Sequence, residues 1–260
     1  LQAPDFLGYD SGIAMAKDHP ALVTRGLRLK KAGNAIMTLL GGRSVHPVSV
    51  KVGGFSRVPS RRELEGLTAE LLWARDAAAE TIRWAATFEY PDFTPDYTYV
   101  ALRHPDEYPF NEGRLETING LSISVEEFEQ HFTERQVPYS TALQCTFQGT
   151  PYLVGPLARV NLNHDRLPPP VKQVLAATGV QLPLRNPFHG IIARAVEILY
   201  ALEESLRLIQ RYAPPPEPAL AVIVRSGTGT ACTEAPRGIL YHRYRVDGDG
   251  TLACHRLKTV

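Results

Sequence analysis

Thiols are scarce in this chain of 260 residues. Its three cysteines, Cys145, Cys232 and Cys254, are odd in number and widely spaced, which excludes a disulfide framework. No CxxC pair exists, so a self-contained zinc or iron–sulfur site is excluded too. So few thiols suit a reducing compartment. Long apolar runs are also missing: Ile191–Tyr200 is broken by Arg194 and Glu197, well short of the roughly 20 residues a membrane-spanning helix needs. Neither sign of charge dominates, with 28 Lys+Arg against 27 Asp+Glu. A nucleic-acid binder works by clustered phosphate-neutralising cations, and that footprint is absent. The chain starts Leu1-Gln2-Ala3-Pro4, without Met and without a basic-then-apolar leader, as at a processing or cut boundary. What remains, 44% hydrophobic and 21% charged residues, predicts a soluble, folded chain of one or two domains.

Proline and glycine are plentiful and punctuate the reading. Asp18-His19-Pro20 opens a helix whose apolar positions are Leu22, Val23, Leu27, Ile36, Leu39 and Leu40, and Gly41-Gly42 stops it. Gly26 and Gly33 sit inside it; either another element packs closely on that face or the helix tolerates their cost of up to ~1 kcal/mol each. A second helix starts at Ser60 with Glu63 completing a capping box and runs towards Thr87. Tyr97–Arg103 reads as a strand, and Arg114–Ile118 pairs with Leu121–Ser124 across Asn119-Gly120, a strong hairpin signal. Ser124 caps a short helix reaching Phe132. Pro168-Pro169-Pro170 and Pro214-Pro215-Pro216 are stiff turns around two further helices, one from Pro169 to Gly179 and one from Pro187 to about Tyr212. The end reads as a Gly/Thr-rich loop and then a hairpin, Ile239–Val246 and Thr251–Leu257, across Asp247–Gly250. The fold class expected is α+β and predominantly helical: 1–90 helical, 91–165 strand-rich, 166–215 helical, 216–260 loop plus hairpin.

Several motifs carry little chemistry. Asp247–Gly250 has no bidentate Glu at the twelfth position and is a hairpin turn rather than a calcium loop. Ser226–Thr230 lacks the GK[ST] ending of a phosphate cradle and reads as flexible loop. Cys232, Cys254, His242 and His255 fall close together in the hairpin, yet their spacing matches no zinc pattern. Two segments ask for more than packing. In Gly41–Phe55, two Gly pairs frame Arg43, His46 and Pro47, a loop able to bring Arg43 and His46 against a ligand or a partner. In Glu234-Ala235-Pro236-Arg237-Gly238-Ile239-Leu240-Tyr241-His242, an arginine is held between a residue of fixed φ and a glycine.

Both segments, in this order, resemble the large subunit of nickel–iron hydrogenases: GRxxHPxxxxxGG at Gly42–Gly54 and EAPRGxLxH at Glu234–His242. Ala3-Pro4-Asp5-Phe6-Leu7-Gly8, Gly155–Asn161 and Asn186 through Glu197 add agreement along nearly the whole chain. APDFLG and GPLARVN are similar to the cytoplasmic multi-subunit types linked to NAD(P), deazaflavin or sulfur reduction. The resemblance implies a Ni-Fe(CN)2CO centre in a longer protein, held by two CxxC pairs that this sequence lacks. It implies catalytic roles for Arg237 and its carboxylate partner Asp5, cofactor contacts for Pro236 and Ala235, and supporting or structural roles for Glu234, His242, Arg43 and His46. No metal ligand is expected in the chain itself, which is expected to be inactive alone and able to self-associate. The partners implied are an iron–sulfur small subunit and NAD(P)- or deazaflavin-linked subunits. The rival readings are a quinone-module subunit of the respiratory complex I type, which also lacks the cysteines, and a non-catalytic scaffold.

Overall fold

A computed structural model describes residues 3–259, with side chains through residue 253. Contacts divide the chain into two compact units: Leu1–Tyr90, Gln173–Gly179 and Ala195–Ile223 form one, and Pro91–Lys172, Val180–Arg194 and Val224–Val260 the other.

The first unit is mostly helical. After α1 (Ala3–Phe6) and α2 (Gly12–Asp18) comes α3 (Pro20–Gly41), begun by proline and ended by Gly42 at φ 81°, whose N–H reaches the Thr38 carbonyl. A two-residue pair of strands, β1 (Val50–Lys51) and β2 (Gly54–Phe55), follows. The helix expected from Ser60 is in fact two, α4 (Arg61–Glu65) and α5 (Thr68–Ala85). The capping box is present, but Gly66 and Leu67 tighten the turn while staying right-handed, and the Leu67 N–H returns to Leu64 rather than four residues back. Small residues let α5 approach its neighbours: Ala74, Ala77, Ala78 and Ala85 are buried with Leu71 and Ile82. Arginines tie α3 to α5, Arg25 to Glu80 at 2.7 Å and Arg28 to Glu70 at 2.8 Å, with Arg28 over the Trp73 ring. The apolar face expected of α3 is otherwise open. Leu27 is 64% exposed, and a Cβ at Gly26 or Gly33 would meet nothing within 4 Å. Both glycines line an apolar groove of about 640 Å3 with residues of α2 and α5.

The second unit holds most of the strand. β3 (Thr98–Arg103), β4 (Arg114–Thr117) and β5 (Ser122–Ile123) run antiparallel, with the expected turn at Asn119-Gly120. The short helix after Ser124 is a 3-10 turn and α6 (Phe128–His131), and Phe132 already belongs to a strand, β6 (Phe132–Arg135), paired with β7 (Gln144–Phe147). β8 (Tyr152–Leu153) lies parallel to the start of β3 and feeds α7 (Pro156–Asn163). Two helices read from the prolines follow, α8 (Pro169–Ala176) and α9 (Gly190–Arg211), the latter's residues from Ala195 belonging to the first unit.

Ser226–Thr230, expected as loop, instead enters β9 (Gly227–Ala235), the third strand beside the hairpin of β10 (Gly238–Val246) and β11 (Leu252–Thr259). Backbone pairing with β10 along its whole length overrides the weak strand preference of Gly-Thr-Gly-Thr. Val100, Leu102, Leu115, Ile123, Phe147, Cys232 and Ile239 make the core, with Phe128 stacked between Phe132 and Tyr241 at 4.2 and 4.3 Å. The architecture is the expected α+β fold with more helix than strand.

Candidate active site

Pro236 and Arg237 are the two central residues of the β9–β10 hairpin, since Ala235 pairs directly with Gly238. Both are exposed, while Gly238 behind them is buried. Beneath the turn lies a fully buried ion pair. Arg159, from the first turns of α7, reaches Glu234 at 2.9 Å, with side-chain exposures of 1% and 0%. The other Glu234 oxygen accepts the Leu102 N–H at 2.8 Å, and the Glu234 N–H donates to the Phe110 carbonyl. The same guanidinium donates to the carbonyls of Ala235 (2.8 Å) and Pro236 (3.4 Å). Gly155, capping α7 at φ 85°, admits the Arg237 carbonyl so closely that a Cβ there would lie 2.6 Å from it. A buried carboxylate is tolerable only when paired and hydrogen-bonded, and here it is both. Its charge, after burial itself, pushes the neighbouring Cys232 thiol up to about 12.

The cradle is itself anchored. Asn161 exchanges two hydrogen bonds with the Leu184 backbone, and Asn163 donates to the Leu102 carbonyl at 2.9 Å. Both Leu102 backbone groups therefore end on side chains, Glu234 and Asn163, beyond the point where β8 stops pairing with β3. Arg103 grips Asp165 at 2.8 and 2.9 Å, and that contact holds the Asp165 carboxyl down at about 2.

Sequence-derived candidates fall in three places. Glu234, Ala235, Pro236 and Arg237 form the hairpin just described, and among the described residues of its unit the Arg237 guanidinium makes no ion pair. His242, on β10, is half-buried and shares a hydrogen bond of 2.9 Å with the Tyr244 hydroxyl. The others lie in the first unit. Asp5 is exposed on α1. Arg43 and His46 are exposed too, and the Arg43 Nε donates to the His46 carbonyl, closing their own loop, with His46 at φ 52°. The glycines after them serve backbone approach: a Cβ on Gly53 would lie 2.4 Å from the Leu220 carbonyl, and one on Gly54 2.7 Å from that of Pro218.

Comparison with known proteins bears directly on this hairpin. No protein-family model matches the chain. It is similar, at 31% identity over 251 residues, to sulfhydrogenase 1 subunit alpha of Pyrococcus furiosus, across 95% of this chain and 59% of that protein. Its likeness to the NAD-reducing hydrogenase HoxS subunit beta of Cupriavidus necator is 26%, over 92% of the chain and 55% of that protein. Among solved structures, an NAD+-reducing [NiFe]-hydrogenase in the H2-reduced state shares the fold with a TM-score of 0.80 at 22% identity, over 98% of this chain and 63% of that one. The chain is a homologue of nickel–iron hydrogenase large subunits.

It spans a little over half the length of those curated relatives. Donor chemistry decides whether its own residues fit the bimetallic centre of that family. They do not. A soft bimetallic site needs paired thiolates, and no CxxC occurs in the sequence. Among the described residues no three His, Cys, Asp or Glu side chains converge, and the Cys232 thiol is buried and held protonated. What the hydrogenase-like chain does carry is the arginine hairpin and its support. Arg159 lies within the GPLARVN stretch but is not among the site residues that the sequence motifs single out. Its signal was an arginine among the otherwise apolar and amide residues of a short helix.

Proposed function

We propose that the complete protein is the catalytic subunit of a nickel–iron hydrogenase, and that this chain supplies the arginine wall of its site rather than the metal ligands. The reaction is reversible oxidation of H2: the H–H bond breaks heterolytically into a proton and a hydride, and the hydride yields a second proton and two electrons. The observation that carries this reading is the rigidly based Pro236–Arg237 turn, exposed at the tip of a hairpin in a hydrogenase homologue. A guanidinium stays charged at any working pH and places fixed N–H donors where charge separates. Such a donor contributes most if water is excluded around it, which in this reading is the work of stretches the longer relatives have and this chain does not span. Asp5 is proposed as the carboxylate that orients Arg237, and Pro236 and Ala235 as the pocket wall beside the iron's ligands. The cysteine pairs come from the same uncovered stretches.

Relatives named as subunits of NAD-reducing and coenzyme F420 hydrogenases support electron transfer to an iron–sulfur partner subunit, then to an NAD(P)- or deazaflavin-linked one. Among the described residues no helix is long and apolar enough to cross a membrane. We place the assembly in the cytoplasm on the type of relative it resembles. The test is the full-length subunit, matured with its partners, assayed for H2-driven reduction of a low-potential dye. Arg237→Ala is expected to lower kcat about 100- to 1,000-fold, the usual cost of one preorganised donor, with nickel and iron content unchanged. Arg237→Ala at wild-type rate would overturn the reading.

A further inference from the structure

Arg159 and Glu234 are a charged pair removed from water, and a charged pair of that kind is weak evidence for stability, because apolar residues of equal volume commonly do as well. What the pair does have is aim. Three successive carbonyls, of Ala235, Pro236 and Arg237, face the start of α7: the first two accept from Arg159 and the third rests against Gly155. One planar guanidinium thus fixes a carboxylate and two carbonyls at once, which the single ammonium of lysine cannot reproduce. The Glu234 oxygen not used by Arg159 binds the Leu102 N–H, so the turn is referred to the central strand β3 as well as to α7.

We infer that Arg159 is a positioning residue for the hydrogenase reaction, acting through Arg237: it fixes the backbone from which that guanidinium projects. The inference rests on the functional reading above. Rigid support of this kind matters because a misplacement of about 1 Å costs on the order of 100-fold in rate.

The experiment uses the full-length, matured enzyme with four proteins: wild type, Arg159→Lys, Arg237→Lys and the double variant. Arg159→Lys keeps the charge next to Glu234, so the fold is retained while the carbonyl contacts are lost; Arg159→Met with Glu234→Gln removes both charges together and serves as a second folded probe. We expect Arg159→Lys to lower kcat at least tenfold, to leave KM for H2 within twofold, and to cost less than twofold further when Arg237 is already lysine. A merely structural role would instead lower activity by the same factor in both backgrounds, which would overturn the inference. Amide hydrogen exchange of Leu102 and Glu234, whose N–H groups report the clamp, provides a readout independent of turnover. Exchange accelerated at least tenfold in Arg159→Lys is expected; unchanged exchange in both probes would overturn the positioning role whatever the activity. If exchange accelerates but Arg237→Lys turns over like wild type, the hydrogenase role of Arg237 fails and the clamp stands.

Discussion

At the scale of single residues, burial sets the chemistry more firmly than identity does. Cys232 is 3% exposed, and burial followed by the charge of Glu234 raises its thiol from 9.0 to about 12. A thiol is a nucleophile only as thiolate, so Cys232 is inert in the folded chain. Iodoacetamide at pH 8 is expected to spare Cys232 and to modify the half-buried Cys145 faster, as read by peptide mass mapping. The linkage has a definite sign. Between pH 9 and 12 the folded chain keeps a proton that the unfolded chain has released, so the stabilisation is complete below pH 9 and is lost as pH rises towards 12. The slope is at most about 1.4 kcal/mol per pH unit. Urea midpoints measured at pH 8 and pH 10 should therefore fall for the wild type and fall less for Cys232→Ala. The site was legible at this scale only in part. Glu234, Pro236 and Arg237 are contiguous and readable as a motif, whereas Arg159 lies 75 positions before Glu234 and only the fold brings them together.

Elements show where local signals win and where pairing overrules them. Ser60 and Glu63 form a reciprocal cap, and Ser60 holds the Glu63 carboxyl down at about 2, chiefly through its backbone N–H. Ser60→Ala is expected to cost about 1 kcal/mol in chemical denaturation. The carboxylate's own share of the cap is present above pH 4.5 and fades as pH falls through about 2, so Glu63→Gln should cost most at pH 7 and progressively less as pH falls towards 2. Capped helices were readable for this reason: their signals lie within four residues. The prolines before α8 and α9 acted likewise, since fixed φ and a missing N–H need no distant partner. Strands β6, β7 and β9 were not readable. β9 is an edge strand of Gly and Thr whose first four residues carry no apolar alternation, and β6 is joined to β7 by residues 136–143, where the Pro138 turn that the Ser140 N–H closes onto the Val137 carbonyl is only part of a longer loop with no two-residue hairpin signal. Backbone approach also escapes a one-dimensional reading. The Gly pair at 53–54 was visible, but not its reason, the Pro218–Leu220 segment lying against it. With φ 93° and the Leu220 carbonyl 2.4 Å from a Cβ, Gly53→Ala is expected to lower stability by about 2 kcal/mol or more, measured as a shift in the urea midpoint.

For the molecule as a whole, the informative feature is a helix that its surroundings do not fill. α3 runs for 22 residues with Gly26 and Gly33 on a face where a side chain would touch nothing, above an apolar groove of about 640 Å3. A glycine inside a helix costs about 1 kcal/mol relative to alanine, and alanine can replace it at no packing cost where nothing occupies the space. In this chain neither position has a positive φ or a close neighbour. Gly26→Ala and Gly33→Ala should therefore each stabilise the 260-residue chain by about 0.5 to 1 kcal/mol, seen as a higher urea midpoint with an unchanged slope. The two positions are separate enough on the helix for their effects to add. The same substitutions in the full-length protein measure something else. This chain spans 59% of the sulfhydrogenase alpha subunit it resembles, and if a further helix of the complete protein lies in the groove, two added methyl groups would hold it off. Stabilisation in the short chain with destabilisation in the long one is the outcome expected from the spacing of the glycines, and equal stabilisation in both would mean that the groove stays open in the whole subunit.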